Sequence, residues 1–254
     1  MFTVLYRQQI RERILQHAKN DPRIVAAAII GSYAHGQEDR WSDIDLTFGV
    51  DESFTIRTLI NSWTDYVVEE LEGVMLFEFP YGTTTYLVYI LPGCLQLDLS
   101  FSPSTQFGAL GPNFKLLYGK QYEKQELVQP PEKEVYGYMV HHILRARLAA
   151  ERGRLWQAEF WMTEARNLAL KLACQSRGLN TEYGRGFDDL PENILNLLKK
   201  SVIKELNKEE IIRCIQIIVS GIPAISEAIN EYYVKMSSTI NELALSLQDP
   251  IAEL

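Results

Sequence analysis

The chain has 254 residues, of which 46% are hydrophobic and 23% charged, a globular composition that excludes wholesale disorder and accommodates one or two domains. Lys and Arg number 25 against 33 Asp and Glu, giving a formal charge of -8. Chains built to grip phosphate backbones are normally basic, so general nucleic-acid binding is disfavoured; an acidic surface suits a cationic or small-molecule partner, and also solubility alone.

The opening stretch, from Met1 to Asn20, is charged and amphipathic and lacks the basic, apolar and small-residue succession of a signal peptide. The longest apolar run, Ile24 to Ile30, is strand length and far short of a membrane span. Cys94, Cys174 and Cys214 are widely spaced, odd in number and set among apolar residues. They are expected as buried, reduced thiols of a cytoplasmic protein, with neither a disulfide framework nor a metal site. His141 and His142 are neighbours on an expected helix and point apart, so a shared metal is disfavoured.

In chain order, residues 4–20 read as a helix and Ile24 to Ile30 as a buried strand bounded by Pro22 and Gly31. A short helix is expected over residues 32–38, and a strand from Ile44 to Val50. Residues 54–72 are helical in pattern, with Leu59, Trp63, Val67 and Leu71 four apart. Leu76 to Phe79, Thr84 to Leu91 and Leu95 to Phe101 read as strands, the last two forming a hairpin through Pro92-Gly93. The composition then changes near residue 125, and Gln125 to Glu134, with its Pro130-Pro131 pair, reads as a linker.

Beyond the linker the pattern is helical. One helix is expected from Val135 to Ala150, stopping near Gly153, and another from Leu155 to Arg177, ended by Gly178. A third starts at Pro191 and runs to about Leu206; residues 208–247 hold one kinked or two separate helices, since Pro223 interrupts them. The chain is thus expected to be α+β, with a mixed α/β domain at residues 1–124 and an all-α helical bundle at residues 134–254.

The segment that carries chemistry runs from Ile29 to Leu46. A buried strand ends at Gly31-Ser32, where glycine lets the backbone approach a ligand and the serine hydroxyl sits at the start of the expected helix, whose N-terminus favours a phosphate. The next strand opens with Asp43-Ile44-Asp45-Leu46. Side chains alternate along a strand, so the two carboxylates share a face about 7 Å apart. They repel unless a cation neutralises them, and hard oxygen ligands of this kind suit Mg²⁺ bridging to substrate phosphates. Asp98 lies mid-strand between Leu97 and Leu99, on a face with Gln96 and Ser100, and needs a partner or a metal. Beside the first pair it would complete a two-metal site and orient or deprotonate an attacking hydroxyl.

The pattern resembles the nucleotidyltransferase superfamily that includes DNA polymerase β and the antibiotic nucleotidyltransferases. Ile30, Gly31, Ser32, Asp43, Ile44, Asp45 and Leu46 match its hydrophobic-Gly-Ser and Asp-hydrophobic-Asp-hydrophobic elements, and Asp98 matches its later third carboxylate. The motif resemblance covers residues 25–101; the helical half is similar in architecture to the bundle of aminoglycoside and lincosamide adenylyltransferases. The resemblance implies a mixed-sheet core, an NTP donor such as ATP, two Mg²⁺ ions and pyrophosphate release. It also implies Asp43, Asp45 and Asp98 as catalytic metal ligands and Gly31 and Ser32 as phosphate contacts. The family often carries a basic residue in the loop after Gly-Ser, a role open to Arg40, and Tyr33 could pack near a ribose.

A second segment, Arg145 to Asn167, gathers five arginines in an otherwise acidic chain. Arg166 is the candidate for the triphosphate and Glu159 for a cationic acceptor or as base, against the plainer reading of a helix hairpin laced with pairs such as Arg147 and Glu151. Trp156 and Phe160 read as core. The loop from Tyr183 to Pro191 either contacts ligand or connects helices with Asp189 as N-cap.

The expected function is transfer of a nucleoside monophosphate, AMP from ATP, to a hydroxyl of a small molecule, for which an aminoglycoside-like cation is one candidate. The acceptor is expected between the two halves, the commonest place for such a pocket. No membrane or general nucleic-acid partner is expected. Two alternatives stand: a protein-modifying, antitoxin-like nucleotidyltransferase, and a catalytically silent nucleotide-binding or interaction protein.

Overall fold

A computed structural model describes residues 1–109, 111, 113–123 and 129–245. The chain divides into two compact units, Met1–Val128 and Gln129–Leu254. Part of the expected linker, residues 125–128, and the end of the expected last helix, residues 246–247, lie outside the described residues.

The first unit is built on a six-stranded mixed sheet in the order β3-β4-β5-β2-β1-β6. Its strands are β1 (Ile24–Ile30), β2 (Ile44–Val50), β3 (Val74–Tyr81), β4 (Thr84–Leu91), β5 (Leu95–Pro103) and β6 (Phe114–Tyr118). All neighbours are antiparallel except β2 and β5, which run parallel with Asp45 opposite Asp98. Strand β6, the edge strand beside β1, was not expected from the sequence. Its run Phe114-Lys115-Leu116-Leu117-Tyr118 is short and broken by a lysine, and it becomes a strand by pairing with distant residues of β1.

Helices α1 (Val4–Asn20) and α2 (Ile56–Leu71) cover one face of this sheet. Ile10, Ile14 and Ala18 of α1 and Leu59, Trp63 and Val67 of α2 join Ile44, Leu46, Phe48, Leu97, Leu99 and Phe101 in one buried core. The period of two along β2 and β5 then sends Asp45 and Thr47, and Asp98 and Ser100, to the opposite face. The sheet therefore sorts its residues: apolar side chains face the helices and the acids face away. Among the described residues no helix is long and apolar enough to cross a membrane.

The second unit is helical: α3 (Glu132–Glu151), α4 (Leu155–Gln175), α5 (Glu192–Lys199), α6 (Lys208–Ile225) and α7 (Asn230–Ala244). Its core is a separate cluster that includes Met139, Ile143, Met162, Leu172, Ile215, Ile218 and Ile222. Helix α5 is shorter than expected, because Ser201 is buried and its hydroxyl turns back to the Leu198 carbonyl at 2.7 Å. Asn207 then caps α6, its side chain accepting from the Glu210 N–H at 2.8 Å. Pro223 lies in the last turn of α6, and the break before α7 follows at Ser226, so the 208–247 segment forms two helices. The residue capping α5 is Pro191, not Asp189.

Helix ends leave carbonyls without intrahelical donors, and cations are favourable there. This bundle meets that need with arginines. Arg147 of α3 donates to the Leu245 carbonyl at 2.6 Å, just past α7, and pairs with Glu151 at 2.9 Å. Arg177, just past α4, donates to the Ile225 carbonyl at the end of α6 at 2.7 Å. Beyond α5, Arg213 reaches the Lys200 carbonyl at 2.7 Å and Arg166 the Ser201 carbonyl at 3.1 Å. Trp156 and Phe160 are exposed, because their shared helical face points outward and not to the bundle core. Of the three free cysteines Cys174 and Cys214 are buried, whereas Cys94 is exposed in the turn before β5.

Candidate active site

The site begins where β1 ends. Gly31 has φ +72 and ψ -156, a conformation open to glycine and strained for other residues. A Cβ added there would overlap the Oδ2 of Asp45 and sit 2.9 Å from its Cγ. The Gly31 backbone and the Asp45 carboxylate are thus packed against one another, which ties the Gly-Ser turn to the acid strand.

The helix expected over residues 32–38 is a four-residue 3-10 turn, Ser32–His35, ended by Gly36 in the left-handed region at φ +69. So short a turn has little macrodipole. What the turn does present is the close backbone approach at Gly31 and the half-buried Ser32.

Strand pairing supplies the acids. Asp45 lies opposite Asp98 in the parallel β2–β5 pair, and Asp43 precedes β2 by one residue. Each of the three carboxylates offers an oxygen, and these oxygens lie within 4.8 Å of one another. All three residues are half-buried. Burial pushes the Asp98 carboxyl up to about 6; the Gln96 amide opposes that shift and the nearby Asp43 charge adds to it. The Gln96 amide sits 3.0 Å from each Asp98 oxygen. Three converging carboxylates of this kind fit a hard divalent cation: the donor set is all oxygen, and a cation would relieve both the repulsion and the desolvation.

The loop from Gly36 to Asp43 is held from outside the site. Asp39 and Ser42 cap one another, with the Asp39 N–H donating to Ser42 Oγ at 2.9 Å and the Trp41 N–H to Asp39 Oδ1 at 2.7 Å. From α1, Arg7 Nη1 donates to the carbonyls of Asp39 at 2.7 Å and Ser42 at 2.8 Å. Arg7 Nε lies 3.0 Å from Glu38 Oε1, Arg11 also pairs with Glu38, and the Arg11 guanidinium lies 3.7 Å over the Tyr33 ring. The sequence reading did not find these contacts. Arg7 and Arg11, four apart on one helix, were the available signal, but their partner lies 27 residues or more further along the chain.

The other expected site residues are placed as follows. Arg40 is exposed in the same loop, its guanidinium 4.4 Å over the Trp41 ring. Tyr33 is covered on one face by Arg11. Glu159 and Arg166 belong to α4 in the second unit, linked through Thr163: its hydroxyl donates to Glu159 at 2.8 Å and accepts from Arg166 Nη2 at 3.1 Å. In the loop before α5, Tyr183 is almost fully exposed at φ +54.

Residues 12–76 match the family described as polymerase beta, nucleotidyltransferase. That stretch contains Gly31, Ser32, Asp43 and Asp45, and Asp98 lies beyond it. Among solved structures, an aminoglycoside 6-adenyltransferase from Bacillus subtilis is similar at 12% identity, with 94% of this chain and 99% of that one covered and a TM-score of 0.38. No curated protein matches the sequence. The N-terminal unit is thus similar, over residues 12–76, to polymerase beta-type nucleotidyltransferase domains, and the matched stretch holds the Gly-Ser turn, Asp43 and Asp45.

Proposed function

We propose that the protein moves AMP from ATP onto a hydroxyl of a small molecule and releases pyrophosphate. One observation carries this reading: Asp43, Asp45 and Asp98 converge within 4.8 Å beside a glycine turn that Asp45 itself touches. Asp43, Asp45 and Asp98 would hold Mg²⁺, which when bound neutralises phosphate charge and acidifies a bound hydroxyl. Gly31 and Ser32 receive the β- and γ-phosphates through backbone approach and the serine hydroxyl. Asp98 takes the proton of the acceptor hydroxyl as its oxygen bonds to the α-phosphorus and the bond to pyrophosphate breaks. The Gln96 amide, 3.0 Å from each Asp98 oxygen, would orient the carboxylate for that transfer.

Arg40 is proposed as a phosphate contact from the loop, Arg166 as a second, and Glu159 as a contact for a cationic acceptor. A small acceptor is favoured over nucleic acid by the formal charge of -8. The same charge makes polyhydroxylated cations of the aminoglycoside kind the first acceptors to try. The reaction is placed in the cytoplasm, where ATP and Mg²⁺ are supplied and free thiols persist.

The test is pyrophosphate release with ATP, other NTPs and Mg²⁺ across aminoglycosides, lincosamides and other hydroxylated metabolites, beside Asp43→Asn and Asp45→Asn. Turnover with one acceptor, lost about 10³-fold in both variants, identifies the substrate. Labelling of a protein by ATP in place of a small molecule moves the acceptor to a polypeptide. Mg²⁺-dependent ATP binding with no transfer to any acceptor makes the protein a nucleotide sensor, and absence of nucleotide binding removes the reading altogether.

A further inference from the structure

The loop that separates the Gly-Ser turn from Asp43 has little packing of its own. Tyr33, His35, Gly36, Gln37, Asp39, Arg40 and Trp41 are all exposed. Its one long inward acid, Glu38, has a side chain only 10% exposed, and facing it are two arginines of α1 whose side chains are 1% and 6% exposed. Burying two guanidiniums is expensive unless they are paired. Here Arg7 Nη1 donates to two carbonyls, Arg11 donates to Glu38, and Arg7 Nε, which makes no hydrogen bond, lies 3.0 Å from the Glu38 carboxylate. Arg11 covers Tyr33, two residues after Gly31, while Arg7 takes the carbonyl of Ser42, the residue before Asp43. One helix therefore grips both ends of the loop, and Glu38 joins the two arginines at its middle.

We propose that Arg7, Arg11 and Glu38 are positioning residues that fix the Gly31-Ser32 turn against Asp43, and so set the spacing between the phosphate-binding turn and the metal-binding carboxylates. The inference rests on the reading that those carboxylates bind a divalent cation and a nucleotide. None of the three residues needs to touch substrate. Arg7 acts through two main-chain carbonyls, one of them adjacent to Asp43; Arg11 acts through the ring of Tyr33; Glu38 keeps both guanidiniums in place. A shift of about 1 Å in such a frame is enough to change rates about 10²-fold.

Glu38→Gln is the main variant, since it keeps the shape and removes the charge; Arg11→Met is the second, because Arg7 lies deepest and its loss endangers folding. Each is compared with wild type and Asp43→Asn for Mn²⁺ affinity by electron paramagnetic resonance, for thermal unfolding, and for kcat and KM of ATP. The expected result is an Mn²⁺ Kd raised about 5- to 10-fold and kcat lowered about 10- to 100-fold. The ATP KM should move less than about 3-fold, and folding should stay cooperative. A merely structural bracket would lower the unfolding temperature and leave Mn²⁺ affinity and kcat per folded molecule unchanged, and that outcome overturns the proposal. If wild type binds Mn²⁺ no better than Asp43→Asn, the cation reading fails and the positioning role fails with it. If Mn²⁺ binds and Glu38→Gln weakens it while no acceptor is modified, the positioning role stands and only the choice of acceptor falls.

Discussion

The two units use charge in opposite ways. In the helical unit four arginines end on carbonyls at helix termini: Arg147 past α7, Arg177 at the end of α6, Arg166 and Arg213 past α5. In the sheet unit three carboxylates are brought together by strand pairing, and their mutual contact is a liability for folding. Arg147 and Arg166, both from the arginine-rich stretch, reach carbonyls at helix ends. Like charges held together by a rigid sheet make the candidate place for a cation.

The sharpest break of that contrast is Gly31→Ala. Its Cβ would enter the space of the Asp45 carboxylate, and φ +72 disfavours alanine. Single-turnover transfer should fall about 10²-fold, with Mn²⁺ affinity falling alongside it, because the displaced group is itself a candidate metal ligand. Alanine at Gly137, a helical position with open space around a Cβ, is the control and should leave both unchanged.

Arg177→Met probes the other unit. It removes the donor to the Ile225 carbonyl at the end of α6 and should cost about 1–3 kcal/mol of stability by chemical unfolding. Transfer per folded molecule should not change. A loss of activity without a loss of stability would assign this arginine to the reaction and undo the contrast.

Glu210→Gln tests the same unit by pH. Hydrogen bonds from Arg213 hold the Glu210 carboxyl down at about 2, below its ordinary 4.5. A depressed carboxyl contributes stability above its unfolded pKa and loses it as the pH falls through the folded value. Wild type should therefore exceed Glu210→Gln by about 1 kcal/mol at neutral pH, with the gap closing between about pH 4.5 and 2 in acid unfolding. A gap independent of pH would mean that the pair acts by packing alone.

The convergence of Asp43 and Asp45 beside the Gly-Ser turn was legible in the sequence because that signal is local. A strand, a Gly-Ser turn and alternating acids are separated by a short loop, and strand periodicity alone predicts that Asp43 and Asp45 share a face. Asp98 was a candidate third acid from its place mid-strand and from the motif resemblance; the parallel register that sets it opposite Asp45 is a long-range fact. What was not legible is of the same long-range kind. Strand β6 exists through β1, and the Arg7-Glu38-Arg11 bracket joins residues with no sequence pattern between them. Trp156 and Phe160 show the reverse limit: spacing places them on one helical face without saying whether that face meets core or solvent.

Arg40 separates the two uses of charge at the smallest scale. Like the site acids it belongs to the sheet unit, but it is exposed and rests on Trp41, so folding gains little from it. Arg40→Ala should change stability by less than about 0.5 kcal/mol. If its guanidinium meets a nucleotide phosphate, the ATP KM should rise about 3- to 10-fold with kcat nearly unchanged, because an interaction made equally in ground and transition states moves KM alone. Arg40→Lys should recover only part of that loss, since an ammonium keeps the charge but not the two-pronged geometry. Equal KM values for Arg40→Ala and wild type would take Arg40 out of the site and leave the loop's role to its backbone and to the helix that holds it.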